Sequence, residues 1–302
     1  MRRGLSSSPL RIPIVLTPPL ARRGIRGFLA GMHPVPEILG LIAGNGAYPG
    51  TMAAAARRAG VARLAAAAFE NETRPELAGV VDEIEWMRVG QLGKMSKFFR
   101  RCGVTQAVMV GQIAPKNLFD LRPDMRTLVM LARLKERNAE SLFGGVAREL
   151  EKDGITLLPA TVFLDDDMAR AGHIAGPVRK PKEMADIAYG LKIARETSRL
   201  DIGQTVVVRR GTVLAVEAFE GTNECIKRGG ALGKGMATVV KVSKPGQDMR
   251  FDVPVVGPAT IETAAAAGVR IIAVESGKTL LLEKADVLRL CDERGVTLAG
   301  VE

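Results

Sequence analysis

From Ile38 onward, short apolar runs alternate with segments of helical period, which predicts strands set between helices. Ile38–Ala43 is a continuous apolar run of the buried-strand kind. Gly44-Asn45-Gly46-Ala-Tyr-Pro-Gly50 follows as a tight loop, and Thr51–Arg58 as a helix that stops at Gly60. Further strands are predicted at 63–69, 84–89, 106–110 and 155–158, with helices at 92–101, 125–137 and 141–152. Strands in alternation with helices imply an α/β fold with a parallel, Rossmann-like sheet, which binds ligands past the carboxyl ends of its strands.

The rhythm breaks near Asp165-Asp-Asp167, and Gly172, Gly176, Pro177 and Pro181 mark residues 166–181 as a linker. The three aspartates read as a cap and a solvated turn, and His173 as a solvated side chain. A second, mixed α/β domain then runs from 182 to 302, after a first domain at 36–165. It opens with an amphipathic helix at 183–199 and a hairpin of strands at 205–209 and 212–218. A helix beginning near Glu220 carries Thr222 and Asn223 in its first turn, where both could act as caps. A strand at 238–242, a helix at 260–267, strands at 271–274 and 279–282, a helix at 284–293 and a terminal strand complete the chain.

Composition narrows the class. Of 302 residues, 47% are apolar and only 4% aromatic, which suits a soluble α/β protein of two domains. Cys102, Cys225 and Cys291 are too scattered for a disulfide framework or zinc site, so a reducing cytoplasm is expected. His33 and His173 alone leave little for chemistry built on histidine. The net charge of +10 is concentrated at one end: residues 1–36 hold six arginines and no acid. Taking those six from the 43 Lys and Arg leaves 37 against 33 Asp and Glu, short of a nucleic-acid stripe. Residues 1–33 read as a disordered basic tail suited to anionic lipid, and Met32 offers a later start just before the first strand. No apolar run approaches the roughly 20 residues of a spanning helix.

Candidate chemistry gathers in Lys241-Val-Ser-Lys-Pro-Gly-Gln-Asp-Met-Arg-Phe-Asp-Val-Pro254. On an extended chain Arg250 and Asp252 share a face. A cation beside a carboxylate suits phosphate chemistry, since one neutralises the anion and the other holds a metal or a water. Around this stretch the second domain collects Asp201, Gln204, Glu217, Glu220, Thr222, Asn223, Lys241, Lys244, Gln247, Asp248, Arg250, Asp252 and Glu275. These suit divalent-metal oxygen ligation with cationic clamps rather than zinc. In the first domain the Gly44–Gly50 loop can hold a phosphate on its backbone N–H groups, although Gly50 falls one place late for a dinucleotide fingerprint. Glu70 could serve as a ribose-binding acid, and Lys94 could touch a phosphate at a helix start. Ser276-Gly277-Lys278-Thr279 imitates a P-loop but has Ile272 where the first glycine belongs, and a strand follows it.

Ile42-Ala-Gly-Asn-Gly-Ala-Tyr-Pro49, Gly90-Gln-Leu-Gly-Lys94, Leu200-Asp-Ile-Gly-Gln-Thr-Val-Val207, Ala215-Val-Glu-Ala-Phe-Glu-Gly-Thr222 and the Val240–Pro254 stretch occur in this order. From Ile38 to the C-terminus they resemble the UDP-2,3-diacylglucosamine pyrophosphatase family of lipid A synthesis, the LpxI type. The resemblance implies hydrolysis of UDP-2,3-diacylglucosamine to UMP and 2,3-diacylglucosamine 1-phosphate, with Mg2+ or another divalent cation. It implies a UDP-binding first domain and a second domain for the acylated sugar phosphate.

By position, the acid of the family's Arg-x-Asp-x-Pro motif falls on Asp252, and its basic neighbours on Lys241, Lys244 and Arg250. Asp252 with Asp248 would hold the metal. Gly44, Asn45, Gly46, Gln91 and Lys94 would bind the nucleotide side, and Gln204, Glu220, Gly221, Thr222, Asn223 and Gln247 the rest of the substrate. Asn223 departs from the aspartate common at this place in the family. The resemblance further implies a cytoplasmic protein in peripheral contact with the inner membrane and leaves homodimerisation open; on the charge balance no nucleic-acid partner is expected. The alternatives are a non-catalytic nucleotide-sugar or regulatory binding protein and, on the Gly loop, a nicotinamide oxidoreductase.

Overall fold

The computed structural model describes residues 34–113, 123–134 and 139–302; the tail at 1–33 and the end of the helix expected at 125–137 lie outside them. β1 (Ile38–Ala43) pairs in parallel with β2 (Arg63–Phe69) on one side and β4 (Gln106–Val110) on the other. β3 (Glu83–Met87) adds outside β2 and β5 (Thr156–Leu157) outside β4, giving a parallel sheet of order β3-β2-β1-β4-β5. Successive side chains of a strand face opposite sides. Leu39, Leu41 and Ala43 therefore pack with Tyr48, Met52 and Ala56 of α1 (Tyr48–Ala59), whereas Ile42 joins Met95, Phe98 and Phe99 of α2 (Leu92–Arg101). α3 (Met125–Arg133) and α4 (Ala139–Glu151) extend the second of these cores with Met130, Ala147 and Leu150. With both faces covered, the apolar runs are continuous rather than alternating, which is why they were legible.

In the second domain β6 (Gly172–Ala175), β7 (Thr205–Arg209), β8 (Thr212–Val216), β9 (Ala237–Lys241), β11 (Val269–Glu275) and β13 (Thr297–Val301) form a mixed sheet. Its order is β6-β13-β11-β9-β7-β8, with β9, β11 and β13 parallel and β6, β7 and β8 each antiparallel to the strand it joins. α5 (Pro181–Arg199) covers one face through Ile187 and Ala194. α6 (Thr222–Gly233), α7 (Pro258–Ala266) and α8 (Lys284–Arg294) cover the other through Ile226, Ile261 and Leu290. The two short strands β10 (Val255–Val256) and β12 (Leu280–Leu281) pair in parallel where the domains join. Leu280 packs into the core built by β1 and α1, with Val253, Val255 and Leu282 against it.

Two expectations change. Residues 166–181, read as a linker, contain β6, which pairs with β13 as an edge strand of the second sheet; four residues are too few to show a period. The extended chain expected to set Arg250 and Asp252 on one face ends at Lys241, the last residue of β9. Residues 242–254 form a turning loop in which Asp252 N–H donates to the Asp248 carbonyl at 3.0 Å. Arg250 and Asp252 therefore do not share a strand face. Pro245 and Gly246, the latter at φ 74°, break the extended run.

Candidate active site

α6 lies flush on β7 because Gly229 has no side chain: a Cβ there would stand 2.4 Å from Cβ of Val207. This close approach sets Thr222, the first residue of α6, beside the end of β9. The Thr222 hydroxyl donates to Glu217 Oε1 at 2.7 Å and accepts from Lys241 Nζ at 2.8 Å. The cap position belongs to Gly221, at φ 85°, and no side chain caps the helix. Thr222 thus links two charged residues instead of capping.

Lys241 is only 5% exposed. Burial lowers its ammonium below the ordinary lysine range, opposed by the charges of Glu217 and Asp252. Glu217 is 8% exposed, and its Oε2 is buried with no hydrogen-bond partner among the described residues; the same holds for Gln204 Oε1.

The loop after β9 is held at both ends. Ser243 donates from its N–H (2.9 Å) and its hydroxyl (2.6 Å) to Glu275 Oε2, and Lys244 N–H donates to Gln247 Oε1 at 2.7 Å. At the far end Ala160 N–H donates to the Met249 carbonyl at 2.8 Å, and the Phe143 and Phe251 rings meet at 5.6 Å. The loop is thereby fastened to the first domain, and Asp252 is placed facing it. Asp252 is open to solvent along the cleft, yet enough protein surrounds it that burial raises its carboxyl, against the lowering influence of Gln247, Lys244 and Lys241.

Two cavities meet at this point. A cleft of about 770 Å³ is lined by Asn45, Gly46 and Gln112 of the first domain and by Thr222, Lys241 and Asp252 of the second. A neighbouring cavity of about 660 Å³ is lined by Phe143, Asp201, Ile202, Lys244 and Gln247, among others. Gln204, Glu217, Phe251 and Asp252 line both and form the shared wall. The first-domain side lies past the carboxyl ends of β1 and β4, where the strand order reverses, as expected for a doubly wound sheet. There Asn45 N–H donates to the Gln112 carbonyl at 2.7 Å, Gln112 N–H returns to the Asn45 carbonyl at 3.2 Å, and the Tyr48 hydroxyl donates to the Ala160 carbonyl at 2.6 Å.

Of the expected site residues, Asn45, Gly46, Gln204, Glu220, Gly221, Thr222, Asn223, Lys241 and Asp252 border the larger cleft, and Lys244, Gln247 and Asp248 the smaller cavity. Gly44 lies behind the cleft, with its place for a Cβ 2.6 Å from the Gln112 carbonyl. Gln91 and Lys94 are elsewhere. Gln91 accepts from Arg88 N–H at 2.9 Å, and Lys94 donates to the Trp86 carbonyl and pairs with Glu85 at 3.1 Å, so the nucleotide role expected of them is not supported by position. Glu70 pairs with Arg88 at 3.3 Å rather than facing the cleft. Asp248 and Arg250 are engaged with each other: Arg250 Nη2 is 2.7 Å from Asp248 Oδ2, and Nε lies 3.0 and 3.1 Å from the two oxygens. This pairing holds the Asp248 carboxyl below its usual range and turns it to Arg250 instead of leaving it free for the metal role expected of it. Arg250 also reaches Glu151 at 3.6 Å and so clips the loop instead of bordering either cavity.

Gln112 was not anticipated. Its signal is slight, a Val110-Gly-Gln112 step off the end of a strand, with Gly111 at φ 93°. Phe143 was hidden within a helical period, and only tertiary packing brings it to Phe251.

Comparison with known proteins adds an independent line. A family model described as the LpxI N-terminal domain matches residues 38–166, and one described as the LpxI C-terminal domain matches residues 170–299. The UDP-2,3-diacylglucosamine pyrophosphatase LpxI of Caulobacter vibrioides is 34% identical over 279 residues, covering 87% of this chain and 97% of its own length.

Proposed function

The chain belongs to the LpxI family, and on that premise we propose that it hydrolyses the pyrophosphate bond of UDP-2,3-diacylglucosamine, a step of lipid A synthesis. The products are UMP and 2,3-diacylglucosamine 1-phosphate. The observation that carries this reading is the position of Asp252, on the wall shared by two cavities, with Lys241 and the β1–β4 crevice bordering the same cleft.

In this reading the nucleotide occupies the crevice at Asn45, Gly46 and Gln112, and the diphosphate lies against Lys241 and the first turn of α6. Backbone N–H groups at a helix start and a buried cation both favour anionic oxygens. The smaller cavity, with Phe143, Ile202 and Phe251 in its lining, takes the acylated sugar phosphate, and Lys244 borders it. Lys241, held by Thr222 inside low-dielectric surroundings, stabilises charge that grows on the phosphoryl oxygens more than it could in water. Asn223 borders the cleft as a neutral amide and can donate to an anion, but not act as a base.

The donor set suits a hard divalent cation. The shared wall offers oxygen atoms, including the buried Gln204 Oε1 and Glu217 Oε2 that lack hydrogen-bond partners among the described residues, and no described imidazole or thiol borders either cavity. Asp252 would hold the ion. Such an ion neutralises diphosphate charge and lowers the pKa of bound water. The acyl chains derive from a bilayer, so peripheral contact with the inner membrane belongs to the proposal; no described helix is long and apolar enough to cross a membrane.

The test is UMP release from UDP-2,3-diacylglucosamine by the purified protein with magnesium. Binding of the substrate without cleavage would assign the chain to the nucleotide-sugar-binding class instead.

A further inference from the structure

We propose that Glu217, in place of Asp248, is the second carboxylate of the divalent-cation site at Asp252. The purpose of the ion rests on the hydrolase reading above, whereas the site is argued from the side chains themselves.

A carboxylate with 8% exposure needs partners for both oxygens, because burial strips it of water. Glu217 Oε1 has one, the Thr222 hydroxyl at 2.7 Å; Oε2 has none among the described residues. The backbone of Glu217 is fixed on both sides. Its N–H donates to the Thr205 carbonyl at 2.8 Å, and Gly203 packs so closely on the Glu217 carbonyl that a Cβ there would stand 1.9 Å from it. Glu217 and Asp252 line both cavities, and so does Gln204, whose Oε1 is also without a partner.

Charge points the same way. Glu217 and Asp252 both act on the Lys241 ammonium, so two negative groups face one positive one, while Lys244 is paired with Asp201. A divalent cation offsets the remaining negative charge, and magnesium typically takes one or two carboxylates and completes its shell with water and substrate phosphate. Asp248 is instead paired with Arg250 through both its oxygens, which leaves it less available for this task.

Binding of Mn2+ alone, followed by electron paramagnetic resonance, tests the site without reference to turnover. Glu217→Gln keeps the shape and the bond to Thr222 but removes the charge; it should weaken Mn2+ binding at least about tenfold. Asp248→Asn should bind Mn2+ as wild type does. Wild-type affinity in Glu217→Gln, or an equal loss in Asp248→Asn, overturns the proposal. A Mn2+-soaked wild-type crystal gives an answer that does not depend on how the variants fold. The anomalous peak should lie within about 2–2.5 Å of Glu217 Oε2 and an Asp252 oxygen, and a peak elsewhere overturns the assignment. Loss of Mn2+ from Glu217→Gln in a protein that releases no UMP would sink the hydrolase reading but not the site. UMP release with the ion seated away from Glu217 would do the reverse.

Discussion

Lys241, the last residue of β9, donates to the hydroxyl of Thr222, the first residue of α6, at 2.8 Å. Through that single bond a buried ammonium at a strand end is fixed to the start of a helix, and the same hydroxyl reaches on to Glu217. The cation is thereby oriented before any substrate arrives, which is the condition for electrostatic stabilisation of a transition state.

Lys241→Met removes the charge while keeping much of the volume. The expected loss in kcat is about 10²–10³-fold, as for removal of one preorganised donor to a developing charge. Thermal stability should fall as well, because the buried Glu217 carboxylate is left without its neighbouring cation. Thr222→Val leaves both Lys241 and Glu217 short of a partner, at a cost of about 1–3 kcal/mol. Its kcat should fall with little change in KM. Steady-state kinetics and melting curves on the two variants check these outcomes.

The pH profile should be narrow. Asp252 must lose its proton to hold a metal, and its carboxyl is raised in the metal-free protein, so divalent-cation affinity should begin to fall on acidification above the ordinary 3.8. Lys241 acts as an ammonium and is lowered, so the alkaline limb of kcat/KM lies below the ordinary 10.5. Stability follows the opposite demand at Asp252. Because the folded state binds this proton more tightly than the unfolded chain, the contribution is complete below 3.8 and is lost as pH rises through the raised value. Asp252→Asn should therefore melt at or above the wild-type temperature at neutral pH while its turnover disappears. A lower melting temperature at neutral pH would contradict the assigned shift.

On the nucleotide side, two substitutions separate position from sequence resemblance. Lys94→Ala should leave KM unchanged, since Lys94 is occupied with Glu85 and Trp86 away from the cleft. Gly111→Ala should raise KM at least about tenfold and lower stability by about 1–3 kcal/mol. Gly111 sits at φ 93°, and an added Cβ would come within 2.7 Å of the Asn45 carbonyl that bonds Gln112.

Much of the architecture could be read from the chain, for physical reasons. Ile38–Ala43 is buried on both faces, so its apolar run is unbroken, and 106–110 is apolar after Gln106; glycines follow each at the crevice. The motifs around Thr222, Lys241 and Asp252 fell on residues that do line one cleft. What the chain concealed was direction and partnership. Asp248 and Arg250 look like site groups when read along an extended strand, but a turn at 245–251 folds them onto each other. Lys94 follows a glycine-bearing motif, yet Glu85 and the Trp86 carbonyl, both on β3, claim it. Glu217 was one polar residue in a collection; only its burial, with one oxygen bonded and the other not, distinguishes it.

In the proposed reaction Asp252, between the two cavities, is required for cleavage of a diphosphate spanning them. Chromatographic measurement of UMP from UDP-2,3-diacylglucosamine, with wild type and Asp252→Ala compared under identical magnesium, tests it most directly. The expected result is UMP from the wild type and none above background from the variant, which keeps its melting temperature and still binds UDP. UMP release by Asp252→Ala at a rate near that of the wild type would contradict the account.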